Sequence, residues 1–543
     1  MCVCVNETRV CELESPAFAA FLLPLPPYRR PPHNMESFDN SVDALIRFVD
    51  TNLPFMSQYV TWWMTQYRTN PAHVVMETVL FVFILYVYFK RPSARKVGKG
   101  LSQKEVQELL DEWHPEPLVN HPGPATETTH DDFMVVESRS GTRIVVEGRG
   151  EMIDMASFDF LGFSTDAEVK EECVRVLNTY GCGSCGPRGF YGTVDLHLEL
   201  EDTLAKFFNV NESIMYSDSE STVASVVPAF AKRGDVVIVD EYVNDNLLTG
   251  AMLSRSKVYC YKHNDMEDLG RVLDTIAKRD RRTGQSGKTQ RRFIITEGIF
   301  RNTGRIVDLP KIVELKKKHS CRLLLDESLS FGALGKTGRG ATEHFQMDMK
   351  DVDIMASSCA ATLGSVGGFC IGNEPSVVDH QRLSGAGYCF SASTPPFVAK
   401  AATVALRKMQ TTDVNRIHQL KLNLSEILDG LEDFPQLTVT SDEASPVVHV
   451  CLSEEWRNEA RDEAALLASM AAFVRDEGGV LLVDSKYIED SPNMRVVAER
   501  SASGVKPSVP RPSLRIVASA LHTMEDIDLL MKYLGHAVDE FLR

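Results

Sequence analysis

Short apolar runs alternate with helical patterns from about residue 155 onward, and this alternation narrows the folds open to the chain. Val236-Val-Ile-Val239, Val258-Tyr-Cys-Tyr261, Arg292-Phe-Ile-Ile-Thr296 and Arg322-Leu-Leu-Leu-Asp326 read as strands with no consistent polar face. Helical spacing flanks them at Ala167–Tyr180, His197–Phe208 and Pro310–His319. A strand that is apolar on both faces must be covered on both, and strands joined through helices run parallel. The expected class is α/β, with a mostly parallel sheet and helices on both faces over residues 154–396. After Pro396 helices dominate (Val398–Gln410, Val414–Leu431). Strands follow at Val447–Leu452, Gly479–Val483 and Ser513–Ala518, with helices at Glu463–Glu477 and from Met524. That pattern predicts a smaller α+β domain over 397–543.

A net charge of −17 argues against a nucleic-acid partner, because phosphate binding needs a basic surface. The basic run Lys278 to Arg292 is rich in Gly, Ser, Thr and Gln and reads as a solvated loop. The twelve cysteines are scattered. Only Cys182-Gly-Ser-Cys185 has CxxC spacing, and no second pair completes a metal set. A reducing compartment fits this usage.

The first 34 residues are proline-punctuated and are expected to be disordered. Val42, Leu45, Ile46, Val49 and Leu53 recur at helical spacing, as a helix packed on its own protein or lying in a membrane interface. With Tyr59, Trp62, Trp63 and Tyr67 they assign 35–72 to interfacial helices. Val74 to Phe89 is apolar apart from Glu77 and Thr78, and Lys90, Arg91, Arg95, Lys96 and Lys99 follow it. This predicts one transmembrane helix over 73–90, with the C-terminal side in the cytosol. Residues 91–153 read as a linker and the N-terminal part of the small domain. Within them lie a helix Gln103–Trp113 capped by Ser102, a Pro/Thr-rich stretch Glu116–Thr129, and strands at Met134–Val136 and Arg143–Glu147.

Two stretches carry chemistry. Asp353 to Cys370 runs from an apolar strand signal into small residues and ends at Gly367-Gly368, and no lysine lies between Asp351 and Lys400. Gly181 to Gly192 holds five glycines around Cys185, Arg188, Phe190 and Tyr191, which allows tight turns and close backbone approach.

Phe158-Asp-Phe-Leu-Gly-Phe163, Gly186-Pro-Arg-Gly-Phe-Tyr-Gly-Thr193 with His197, Leu325-Asp-Glu-Ser-Leu-Ser-Phe-Gly332 and Gly338-Arg-Gly-Ala-Thr-Glu-His344 together resemble the α-oxoamine synthase family. These are fold-type I enzymes that use pyridoxal 5′-phosphate (PLP). The resemblance runs from about Asp154 to the C-terminus. Ser184–Gly192, Lys262-His-Asn-Asp265 and Gln381–Ser393 are similar to the subunit-one group of eukaryotic serine palmitoyltransferases, as is the single membrane helix.

The resemblance implies a large PLP-transferase domain and a smaller C-terminal one. It implies chemistry in which an amino acid condenses with an acyl-CoA and loses CO₂, with PLP as electron sink. Counted back from Gly368, the family's imine-forming lysine falls on Ala361, which cannot form one. Asn244 takes the place of the ring-stacking His, and Leu329 that of a second His. Asp326 matches the carboxylate under the pyridine nitrogen, although a strand-end Asp is equally a turn residue. Arg515 matches the carboxylate-binding arginine or is a strand-end surface arginine. Ser391 and Ser393 match hydroxyls that reach the phosphate of PLP on the other subunit. Cys185, Arg188, Phe190 and Tyr191 are expected to face an acyl-CoA or the partner's site.

The resemblance therefore implies a non-catalytic, endoplasmic-reticulum subunit paired with a lysine-bearing homologue that binds PLP covalently. L-Serine and palmitoyl-CoA would meet at the shared site, and small regulatory membrane proteins are conceivable partners. Two alternatives stand beside this: a self-sufficient PLP acyltransferase using another lysine such as Lys336, and a degenerate scaffold for regulators.

Overall fold

The computed structural model describes residues 69–90, 102–113, 134–284, 290–457, 462–485 and 508–542, with 62, 65 and 66. The chain divides into two units, Met1–Glu127 and Thr128–Arg543. In the first, one helix spans Pro71–Lys90, and its large apolar side chains from Val75 to Phe89 stand exposed. Ala72–Phe89 is long and apolar enough to cross a membrane. The 20-residue helix reaches roughly 30 Å at 1.5 Å per residue, about one hydrocarbon core. Its one acid, Glu77, pairs with His73 at 3.2 Å. A second helix, Gln103–Glu112, begins at a capping box in which Ser102 and Glu105 satisfy each other's backbone N–H. The expected disordered N-terminus, the amphipathic segment 42–53 and the linker 116–129 lie outside the described residues.

In the second unit, β1 (Val136–Ser140), β2 (Arg143–Val146) and β3 (Gly150–Asp154) form an antiparallel meander. The central sheet then uses β4 (Glu212–Tyr216), β5 (Val236–Asp240), β6 (Lys257–Tyr261), β7 (Arg292–Glu297), β8 (Arg322–Asp326), β9 (Ile354–Ser358) and β10 (Gly368–Gly372). Their order is β4-β10-β9-β8-β7-β5-β6. β10 runs antiparallel to both of its neighbours, and the remaining pairs are parallel. β5, β7, β9 and β10 are buried at every residue, as strands covered on both faces must be.

The last strands are β11 (Leu437–Val439), β12 (Val447–Leu452), β13 (Val480–Leu481), β14 (Val483–Ser485) and β15 (Ser513–Val517). β11, β12, β15 and β14 pair antiparallel in that order, while β13 joins β3 in parallel. Phe207 and Phe208, at the end of the helix Asp195–Phe208, meet Phe331 and Phe369 with ring centroids at most 5.9 Å apart. Each such buried ring contributes about 1.5–3 kcal/mol and ties the loop after β8 to β10.

The reading of Lys278 to Arg292 as one solvated loop is corrected. A helix runs from Met266 to Thr283, capped by Asp265 and ended by Gly284 in the left-handed region. Leu269, Val272, Leu273 and Ile276 bury one stripe, while Arg271, Arg281 and Arg282 stay exposed and Arg279 tucks in to donate to Tyr259 Oη and Gln290 Oε1. Arg292 opens β7, where it is buried and ion-paired with Asp280 at 2.5 Å.

Candidate functional site

The parallel strands all end on one edge of the sheet, and a crevice outside those carboxyl ends is where such folds bind ligands. Glu297 ends β7, Asp326 ends β8 and Ser358 ends β9, and all three line a cavity of about 180 Å³. Asn244, Leu329 and Ala361 line it too, so four residues singled out from the sequence converge here. No lysine is among its lining residues. Ala361 is buried in a one-turn helix, and its carbonyl accepts from the Phe160 N–H at 2.8 Å.

Asn244 caps the helix Asp245–Leu253, its Oδ1 accepting from the N–H groups of Asn246 and Leu247. Its Nδ2 donates to Asp326 Oδ2 at 3.2 Å and its N–H to Glu297 Oε1 at 2.8 Å. Asp326 Oδ1 accepts from the Ser328 N–H at 3.0 Å and hydroxyl at 2.5 Å. Burial raises the Asp326 carboxyl above its ordinary range, against the pull of Ser328. Burial, and then the neighbouring Asp326, pushes Glu297 up to about 8.

The other singled-out residues lie around the glycine-rich loop. Arg188 does not face outward as expected. It turns inward and forks onto Glu201 Oε1 and Oε2 at 2.9 and 3.1 Å. Phe190 and Tyr191 are strongly exposed, and Tyr191 adopts a left-handed φ of 64°. Cys185 is an exposed thiol, also left-handed at φ 59°. The segment carrying Ser391 and Ser393 is laced to this loop, the Ser393 N–H donating to Gly186 O and its hydroxyl to Gly192 O. The Ser393 hydroxyl also meets that of Ser184, so it is buried and fully engaged. The Ser391 hydroxyl is half-buried, 2.6 Å from that of Ser217, and follows Phe390, which is 85% exposed. His197 is a buried strut between the Val194 N–H and Thr394 O. Arg515 lies 4.7 Å from the Phe158 ring centre and donates to Ala156 O.

The aminotransferase class I and II family model matches residues 150–534. The chain belongs to that family. Within it, the chain falls in the serine palmitoyltransferase subunit-one group. Long chain base biosynthesis protein 1 of Arabidopsis thaliana is 38% identical over 80% of this chain and 90% of its own length. Serine palmitoyltransferase 1 of Dictyostelium discoideum is 36% identical over 83% and 90%. A solved serine palmitoyltransferase from S. paucimobilis, holding a PLP–myriocin aldimine, superposes with a TM-score of 0.64. It is 24% identical and covers 81% of this chain and 96% of its own.

The fold is thus that of PLP-dependent enzymes, but this subunit-one chain's own cavity does not fit the cofactor. It offers no amine among its lining residues. A helix N-terminus can hold a phosphate. Here the helix Ser219–Phe230 is capped by its own Asp218 and carries Glu220 in its first turn, facing the cavity. The hydroxyls of Ser219 and Ser358 bond to each other at 2.7 Å. Glu220, Glu297 and Asp326 give the cavity three carboxyls.

Sequence reasoning missed Glu220, Glu297 and Arg301, and quoted Phe158 without a role. The strand-end position that drew attention to Asp326 applies equally to Glu297, its register partner.

Proposed function

We propose that this chain is a membrane-anchored, non-catalytic subunit of serine C-palmitoyltransferase. It pairs with a lysine-bearing homologue, and the pair condenses L-serine with palmitoyl-CoA to 3-ketosphinganine. PLP is carried by that partner. The helix Pro71–Lys90 anchors the chain in the endoplasmic reticulum membrane, with the large (154–396) and small (397–543) domains in the cytosol.

The observation that carries this reading is Ala361, a methyl group in a cavity that no lysine lines. Lys336 is exposed and is not among the lining residues, which disfavours a self-sufficient enzyme. The surface around Phe190, Tyr191 and Phe390 supports pairing, because exposed aromatic side chains gathered on hydrogen-bonded loops are what a partner covers. Of the two serines proposed to reach the partner's cofactor phosphate, Ser391 has the more accessible hydroxyl.

The test is optical. The purified chain alone should lack PLP–lysine absorbance, and the complex should show it until the partner's lysine is replaced. Such a band from the isolated chain, or turnover by it, would end this reading. Ser391→Ala should weaken PLP retention by the complex more than Ser393→Ala, and equal retention by all forms would remove the phosphate role.

A further inference from the structure

The crevice lies outside the carboxyl ends of the parallel strands, and their amino ends carry a different charge pattern. A five-residue strand such as β5 keeps the two edges roughly 16 Å apart. At β7 and β8 the basic residues of the amino edge are matched by acids: Arg292 by Asp280, Arg322 and Lys316 by Asp353, and Lys317 by Asp351. The matching stops at β5 and β6. Lys232 and Arg233 precede β5, Arg255 precedes β6 and Lys257 opens it, and all four are exposed. Among the described residues none of these four forms a salt bridge.

Arg233, Arg255, Ser256 and Lys257 line a bowl of about 400 Å³, with no acid among its lining residues. β5 and β6 pair with Val236 opposite Lys257, which sets the two loops side by side. The Ser256 hydroxyl donates to Lys232 O and the Lys257 N–H to Asp235 O, both at 3.0 Å. Asp235, the nearest acid in the chain, is buried and accepts from the N–H groups of Lys232 and Arg291. The helices Ser219–Phe230 and Asp245–Leu253 end at this edge, each contributing roughly half a negative charge. Four exposed cations outweigh those two ends and one carboxylate. Arg291 adds a fifth, and its guanidinium already covers the first helix end by donating to Phe230 O. Arg255 has a φ of 56°, in the left-handed region where glycine is the unstrained choice. An arginine held there presents a side chain at a cost that glycine would avoid.

We propose that this bowl is a binding site for a phosphate group, carried by a soluble phosphoester or by a lipid headgroup. Arg233 and Arg255 take its oxygens with guanidinium N–H groups, and Lys257 supplies a point charge. A phosphomonoester carries close to two charges on three acceptor oxygens, so it can face three cations at once. A carboxylate has one charge and two oxygens and leaves a cation unmatched. In a chain of net charge −17, this edge draws an anion where most of the surface repels one. It stands at the far end of the strands from the crevice, so its ligand does not compete for that space.

The test is isothermal titration of the full chain, purified in detergent, with glycerol 3-phosphate and separately with micelles containing phosphatidic acid, which bears the same phosphomonoester. Saturable binding of glycerol 3-phosphate identifies a soluble ligand, and binding of phosphatidic acid alone identifies a lipid. The basic residues from Lys90 to Lys99 also attract anionic lipid, so only the part lost on substitution in the bowl counts. Lys257→Gln and Arg255→Gly should each weaken binding about fivefold, and the double variant about twentyfold, the upper range for exposed charge pairs. Arg255→Gly should hold or raise the melting temperature, because glycine suits the left-handed backbone after a helix. No saturable binding of either probe, unchanged affinity in the double variant, or the same heat from chloride at equal ionic strength would overturn the inference. A lower melting temperature in Arg255→Gly with affinity unchanged would assign the arginine to closing the helix and would overturn it too.

Discussion

Replacing Arg188 by Met tests whether the exposed glycine-rich loop is held from beneath. The Arg188 and Glu201 side chains are 6% and 9% exposed, and the guanidinium covers both carboxylate oxygens. Arg188 Nε also donates to Thr193 Oγ1 at 3.0 Å, and the guanidinium lies 5.6 Å from the Tyr388 ring centre. Met is close in length and apolar, so it fills the space but leaves Glu201 a buried anion with only the Met215 N–H at 2.9 Å. Removing one member of a buried ion pair costs about 3–5 kcal/mol, and the lost Thr193 bond adds about 1 kcal/mol. Urea and thermal unfolding of the purified chain would read this loss. The double variant Arg188→Met/Glu201→Met removes the stranded charge as well and should regain most of it. A single variant within about 1 kcal/mol of the parent, or a double variant as unstable as the single, would refute the reasoning.

Stability should peak between acidic and mildly alkaline pH. Burial depresses His449 to about 4, so stability rises with pH from there through the ordinary histidine range. Burial raises Glu327 to about 7 and Glu297 to about 8; these groups hold protons more tightly when folded, so their contribution is full below the ordinary carboxyl range and is lost as pH climbs through those values. Melting temperatures should therefore fall on the alkaline side, and Glu297→Gln should flatten that fall; an unchanged slope in the variant would contradict it. Gly192→Ala should break the loop, because its Cβ would meet Gly186 O at 2.0 Å and Pro187 O at 2.6 Å, both backbone atoms. Rapid cleavage between residues 181 and 193 in limited proteolysis would show it, and parental resistance would not be compatible with that crowding. Cys185→Phe should leave the melting temperature of the isolated chain nearly unchanged, since the thiol is exposed, yet lower the activity of the complex. A large loss of stability in the isolated chain would reverse that assignment.

The parallel strands were legible because burial on both faces leaves runs such as Val236 to Val239 with nothing polar in them. β4 and β10 were not. Gly368-Phe-Cys-Ile-Gly372 reads locally as a turn around two apolar residues, and its strand state comes from pairing with β4 on one side and β9 on the other. There a Cβ on Gly368 would lie 2.2 Å from Thr222 Oγ1, so glycine reports close packing rather than a bend. The charges of Lys278 to Thr283 hid a helix for a related reason: composition averages over faces, and the buried stripe lies one turn earlier, at Leu269 to Ile276.

The same limit shaped the reading of the site. Ala361 and Asp326 sit inside continuous motifs, so their types could be weighed in place. Glu297 lies beside Asp326 only because β7 and β8 pair in one register, and Arg301 reaches Phe158 across more than a hundred residues. Arg188 shows the converse. Its position in a loop with exposed aromatic residues pointed outward, but a carboxylate one helix away turns it in. A missing amine is a local fact that one position can reveal. What surrounds that position, Glu297 beside Asp326 and Arg301 against Phe158, comes from strand register and long-range packing that no single position displays.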